Sequence, residues 1–318
     1  MLLSFEKIKE ISFGAVSIKS DRDGIRFRKC TDKQIQAWNN LNSVLGDNAR
    51  TTTGIRLDFH TDSKKIGFYL SSGKYELYIN NVFALQRIIG EQGNLDIYVP
   101  EFSKEKLNRV TLYFPSHSDG VLKSMQLDDD AFVVPHQFRR KLLFIGDSIT
   151  QGWNSRYDSL SFANRISRFF DADCVINGVG GGIYLENTFD KILYDPDAVI
   201  IAYGTNDFHY YETYEDFTLQ VNKYLAAISA EYLEKPVFVL TPVWRGDKEN
   251  GSKMGNFDEC RAIIHRLAQE KGLIPVDGSV LMPPIPDFFA DGFLHPNDNG
   301  FSVYAENLIP IIMEKANF

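Results

Sequence analysis

Lys141-Leu-Leu-Phe-Ile-Gly-Asp-Ser-Ile-Thr-Gln-Gly-Trp153 reads as a buried strand that delivers a serine. Residues 142–145 form the short apolar run that a parallel strand needs when helices cover both its faces. Gly146 then permits a sharp turn and close backbone approach. That leaves Ser148 at the carboxyl end of the strand, where open α/β sheets bind ligands. Taken alone, Gly-Asp-Ser is equally a turn whose aspartate and serine cap the next helix. A nucleophile here needs partners further along the chain.

Downstream, strands are expected at 142–145, 174–177, 198–203, 236–240 and 273–276. Helical periodicity falls between and after them, over 159–170, 214–232, 257–271 and from 300 towards 315. Five strands alternating with helices imply a doubly wound, flavodoxin-like parallel sheet between two helical layers. Pro310 should end or kink the last helix, because it lacks the amide and crowds the preceding turn.

Upstream the pattern alternates with period two: Ile55, Leu57, Phe59; Ile66, Phe68, Leu70; Tyr75, Leu77, Ile79; Leu95, Ile97, Val99; Val110, Leu112, Phe114. These read as half-buried strands separated by turns at 71–74 and at Asn80-Asn81, where tolerance of positive φ suits a tight hairpin. Many short strands with little helical pattern imply an all-β sandwich of jelly-roll type. The proline and basic cluster at 131–141 place the junction, giving a β-sandwich over 1–138 and an α/β domain over 139–318.

Three further blocks follow, one after the second expected strand, one after the third and one near the carboxyl terminus. Gly178-Val-Gly-Gly-Gly-Ile-Tyr184 is too glycine-rich for a regular element, and it fails the dinucleotide spacing because Ile183 or Leu185 stands where the last glycine belongs. Tyr203-Gly-Thr-Asn-Asp207 is rich in turn formers. Asp291-Gly-Phe-Leu-His-Pro-Asn-Asp298 carries a histidine whose following proline biases it to extended backbone, hence a loop before the last helix. The other histidines, His60, His117, His136, His209 and His265, have no such context and read as surface residues.

With Gly146-Asp-Ser-Ile-Thr150, these blocks resemble the SGNH (GDSL) hydrolase family in order and in strand-end placement. The resemblance implies Ser148 as nucleophile, His295 as general base and Asp291 as the acid that orients it, with Asp287 or a backbone carbonyl as substitutes. It also implies an oxyanion hole from the Ser148 amide, a glycine amide and the Asn206 side chain. The glycine is Gly181, or Gly182 if the loop aligns one residue later. The family's usual acid-to-histidine spacing has two intervening residues, and here there are three. Gly73-Lys-Tyr-Glu-Leu-Tyr78 and Arg50-Thr-Thr-Thr-Gly-Ile-Arg56 are similar to the β-sandwich that precedes the hydrolase domain in some bacterial SGNH carbohydrate esterases. Gly-x-Ser-x-Gly, the α/β-hydrolase signature, is absent.

A net charge of −8 over 318 residues argues against a nucleic-acid partner, and no apolar run approaches a membrane span. Cys30, Cys174 and Cys260 lack metal-like spacing, so neither metal nor cofactor is expected, and they read as reduced structural thiols. The amino-terminal stretch shows no secretory pattern, which points to the cytoplasm. Trp153, Tyr184, Tyr203 and Trp244 lie near the blocks and offer flat faces to sugar rings. Asp147, Trp153, Tyr203 and Trp244 are therefore the candidate substrate-binding residues. The expected activity is that of a serine esterase removing acetyl groups from oligosaccharides. A lipid esterase or thioesterase is the enzymatic alternative, and a non-catalytic carbohydrate-binding protein the other one.

Overall fold

The computed structural model describes residues 1–98 and 107–318, so the expected strand residue Val99 lies outside the described residues. The first half contains α1 (Phe5–Glu10), β1 (Ser12–Phe13), β2 (Ser17–Asp21), β3 (Gly24–Arg28), α2 (Asp32–Leu41) and α3 (Ser43–Arg50). Then come β4 (Arg56–Thr61), β5 (Lys65–Ile79), β6 (Val82–Tyr98), β7 (Asn108–Tyr113), β8 (Val121–Leu127) and β9 (Val133–Pro135).

Among the described residues the nine strands form one antiparallel sheet, β1-β4-β7-β5-β8-β3-β2, with β6 added to β5 and β9 to β4. β5 is its pivot. Residues 66–70 of β5 pair with β8 and residues 76–79 with β7, while β6 follows β5 along its whole length. The two halves curl around a shared core of alternating residues, including Phe27, Leu57, Phe59, Phe68, Leu77, Leu112 and Met125. The result is the sandwich-like curl that the period-two pattern implied. Asn80 and Asn81 take φ of 51° and 64° and close the β5–β6 hairpin at the Ile79–Val82 pair.

The expected turn at 71–74 is a β-bulge instead. β5 continues through it, and Gly73 at φ 151° lies against Pro115, where a side chain has no room. A second departure is α2 and α3, which the strand-dominated reading of this half passed over. Thr31 and Gln34 form a reciprocal capping box at the start of α2, and Asn42 caps α3. Their buried faces, Ile35, Trp38 and Ala49, pack against Val179, Ile183 and Tyr184 on the parallel-sheet side.

The second half holds β10 (Arg140–Gly146), α4 (Ser148–Gln151), α5 (Phe162–Phe169), β11 (Ala172–Gly178), β12 (Ala198–Ala202), α6 (Asp207–Tyr210) and α7 (Tyr214–Glu231). It continues with β13 (Val237–Leu240), α8 (Phe257–Glu270), β14 (Ile274–Val276) and α9 (Asp298–Ala316). The strands run parallel in the order β11-β10-β12-β13-β14. Successive residues in each strand serve opposite faces. Leu143, Ile145, Val199 and Ile201 pack under α7 and α8, whereas Leu142, Phe144, Ala198 and Ile200 pack under α5 and α9. The first strand thus has neighbours on both sides, and the chain order reverses across it, which opens a crevice at its carboxyl end.

α9 runs through Pro310 to Ala316, against expectation. Pro310 lies on the exposed side of the helix, where water can satisfy the carbonyl that loses its partner, so the buried stripe of Phe301, Tyr304, Leu308 and Ile312 keeps the helix going.

Candidate active site

In the turn after β10 the capping residue is Asp147 and not Ser148. A side chain at Gly146 would collide with Thr150 and the Ala202 carbonyl, so the chain turns there without one. Asp147 is the cap of α4, its Oδ1 accepting from the Ile149 amide at 2.9 Å. Ser148 is left as the first helical residue, and its hydroxyl lies 2.9 Å from His295 Nε2.

His295 Nδ1 lies 2.7 Å from Asp291 Oδ2. A carboxylate only accepts, so Nδ1 carries the proton and Nε2 accepts from the Ser148 hydroxyl. The three-residue spacing works because residues 291–295 wrap around the acid. Asp291 Oδ1 accepts from the amides of Phe293, Leu294 and His295 at 3.1, 2.8 and 3.0 Å. Burial alone would raise Asp291, but the Leu294 and Phe293 amides and the His295 ring hold its carboxyl below the usual carboxylate range. The loop is closed at its base by the Ala290 amide on the His295 carbonyl and by a bridge between Phe289 and Pro296. Asp287 points its carbonyl at Asn297 Nδ2.

The glycine block lies next to Ser148. The Gly182 amide donates to the Val179 carbonyl and the Gly180 amide to Gln151 Oε1, whereas the Gly181 amide has no protein partner among the described residues. Gly181, at φ 82°, is also the exposed residue of that trio. Asn206 stands at the start of α6 and spends one Nδ2 hydrogen on the Gly182 carbonyl at 3.0 Å, leaving the other. Arg245, nearly fully buried, holds this segment by donating to the Thr205 carbonyl at 2.6 Å.

The sequence model of the GDSL-like lipase/acylhydrolase family matches residues 144–303, from within β10 into α9 and across all four blocks. The chain belongs to the GDSL-like lipase/acylhydrolase family. It is accordingly an ester-bond hydrolase. A search against curated proteins finds no match. Among solved structures, a salicylyl-acyltransferase from a tetracycline biosynthetic pathway superposes with a TM-score of 0.80 at 16% identity, covering 93% of this chain and 92% of that one. A putative GDSL-like lipase from Bacteroides ovatus gives 0.75 at 17% identity, over 98% and 97% of the two chains. A family two carbohydrate esterase from Clostridium thermocellum, in complex with cellohexaose, gives 0.68 at 14% identity over 96% and 98%. At these identities the likeness is one of fold, and it extends over both halves.

Of the expected substrate-binding residues of this acylhydrolase, two are not at the surface. Asp147 is 2% exposed, and burial pushes its carboxyl up to about 7 against the pull of the Ile149 amide and Arg245. Its place is under the helix that it caps. Tyr203 is also 2% exposed, its ring packed against Tyr184 and Tyr224, because it directly follows β12 and continues the Val199–Ile201 face that is buried under α7. Tyr184 is buried beside it. Trp244 is half-buried and packs on Phe289, at the base of the loop that carries Asp291 and His295. Trp153 remains at the mouth, with its ring 6.0 Å from that of His295. His117, exposed in the loop after β7, meets Trp153 edge-on at 5.4 Å. No local pattern marks it, since only the packing of the two halves brings it there. Among the described residues no group of three or more His, Cys, Asp or Glu could hold a metal, and no helix is long and apolar enough to cross a membrane.

Lys29 was also hidden. It is fully buried just after β3, where its ammonium donates to Thr51 Oγ1, Thr53 Oγ1 and the Gly178 carbonyl at 2.6, 2.9 and 2.7 Å. Among the described residues it has no carboxylate partner. Burial pushes its pKa down to about 7. Between that value and the ordinary lysine value the unfolded chain holds a proton that the folded chain sheds, so the Lys29 contribution to stability rises with pH there and is flat below. Urea unfolding of wild type and Lys29→Met should therefore diverge above pH 7 in favour of wild type, by up to about 1.4 kcal/mol per pH unit. A gap between the two that is constant with pH would refute this.

Proposed function

We propose that the chain is a serine esterase that works through an acyl-enzyme on Ser148, with acetylated oligosaccharides as its substrates. The observation that carries this reading is the unbroken chain of hydrogen bonds from the Ser148 hydroxyl through His295 to Asp291. As Ser148 Oγ attacks the ester carbonyl, its proton passes to His295 Nε2. Asp291 holds the imidazole orientation and stabilises the imidazolium. Charge on the carbonyl oxygen is taken up by the amides of Ser148 and Gly181 and the second Nδ2 hydrogen of Asn206, each worth roughly 3 kcal/mol when preorganised. His295 then returns the proton to the leaving alcohol oxygen. Water, deprotonated by the same nitrogen, releases the acid and restores the serine.

The sugar class draws support from the exposed face of Trp153 beside His295 and from the cellohexaose complex of the carbohydrate esterase that shares this fold. The likeness to an acyltransferase favours a second outcome for the same acyl-enzyme, transfer to an alcohol other than water. The test is a series of chromogenic esters of increasing acyl length, with acid quenching to trap acylated Ser148. Turnover should be greatest for acetate, with an acetyl mass recovered on the peptide containing Ser148. Preference for long chains would overturn the acetyl reading, and products esterified to an added alcohol would favour transfer.

A further inference from the structure

The glycine block is soft by composition yet held rigidly, and the hold comes largely from the amino-terminal half. Five residues with four glycines have wide conformational freedom, whereas stabilising an oxyanion requires donors already aimed. Asn48 Nδ2, on α3, donates to the Gly180 carbonyl at 2.9 Å. That carbonyl belongs to the same peptide unit as the Gly181 amide. The unit is planar and trans, so its C=O and N–H point in opposite directions, and anchoring one aims the other. Donation to the carbonyl also polarises the unit and strengthens its N–H as a donor.

Neighbouring contacts restrict the loop further. Gln151 Nε2 donates to the Ser116 carbonyl at 2.8 Å, which turns Oε1 towards the Gly180 amide at 2.6 Å. Lys29 anchors the Gly178 carbonyl. A side chain at Gly180 would strike Trp153 Nε1 and approach Asn48 Nδ2, and one at Gly181 would strike Leu45 of α3. Gly181 alone of the Gly180–Gly182 trio is exposed, with its amide uncommitted.

From this geometry we infer that Asn48 is a positioning residue for the reaction, holding the Gly180–Gly181 peptide so that the Gly181 amide meets the developing oxyanion. The inference rests on the role proposed for Gly181. It makes α3, from the amino-terminal half, a working part of the active site.

The test uses Asn48→Leu and Asn48→Asp, both close to asparagine in size and neither able to donate, the latter while ionised. With a chromogenic acetate, kcat should fall roughly tenfold while KM stays within about twofold, the loss of one hydrogen bond felt mainly in the transition state. Phenylboronic acid supplies the second readout. Ser148 Oγ adds to boron and gives its proton to His295, leaving a negatively charged tetrahedral boronate as an oxyanion mimic. In ¹⁵N-labelled wild type the Gly181 amide proton should move downfield on saturation, and in either variant that shift should shrink. A Gly181 signal that does not move in wild type would overturn the role of Gly181, and that of Asn48 with it. A shift of equal size in wild type and variants would overturn the Asn48 proposal alone, whether or not kcat or thermal stability had changed. Either variant suffices if the other does not fold.

Discussion

Turnover of a small chromogenic acetate is expected to fall by roughly 10⁵-fold in Ser148→Ala, the scale on which removal of a serine nucleophile acts in enzymes of this kind. The substitution should be gentle on the fold. The cap of α4 is Asp147, and the Ser148 hydroxyl bonds only to His295 among the described residues, so the thermal midpoint should move little. A large loss of rate with an unchanged midpoint therefore reports chemistry rather than unfolding. The amides of Ser148 and Gly181 and the side chain of Asn206 remain in the variant, so a residue of activity over the uncatalysed reaction is expected. Retention of near-normal turnover would exclude Ser148 as nucleophile. A wild type inert to every ester, with sugar binding intact, would leave the non-catalytic alternative.

The parallel sheet was legible because both faces of its strands are covered, so 142–145 and 198–203 stand out as unbroken apolar runs. The first three blocks were legible because each directly follows a strand and strand ends in this topology share one rim, and the last because its histidine and proline stand in the loop before α9. Proximity along the chain to that rim did not say which way a side chain points. Asp147 and Tyr203 flank the motif residues and yet are buried, the first by capping α4 and the second by continuing, just past the end of β12, the face that Val199 and Ile201 bury. Reading the amino-terminal half by its period-two strands alone hid α2 and α3, although Thr31 and Gln34 carry a capping signature. Lys29, Asn48, Gln151 and His117 act across distances of up to about half the chain. Their roles arise from how the two halves dock, and no local pattern records that.

Asp291→Asn should lower kcat by roughly 10³- to 10⁴-fold through the position of a single proton. Asp291 Oδ1 accepts from the amides of Phe293, Leu294 and His295, so an asparagine at 291 must place its oxygen there to keep them satisfied. Its amide nitrogen then faces His295 Nδ1, where Oδ2 now sits at 2.7 Å. Two donors cannot share that contact, so the ring responds by leaving Nδ1 bare and carrying its proton on Nε2. That nitrogen then points a hydrogen at Ser148 Oγ and cannot take the serine proton. The loop geometry survives and the base does not, so the loss should fall on kcat with the folded state little affected. Asp291→Ala provides the contrast: it leaves the three amides without a carboxylate, and its stability should suffer more than that of Asp291→Asn. Near-normal turnover in Asp291→Asn would mean that some other group sets the tautomer of His295. Wild type itself should keep this base oriented well into mild acid. The depressed pKa of Asp291 means that the folded-state stabilisation from its carboxylate is present above the ordinary carboxyl value and is lost as pH falls through the lower, folded-state one.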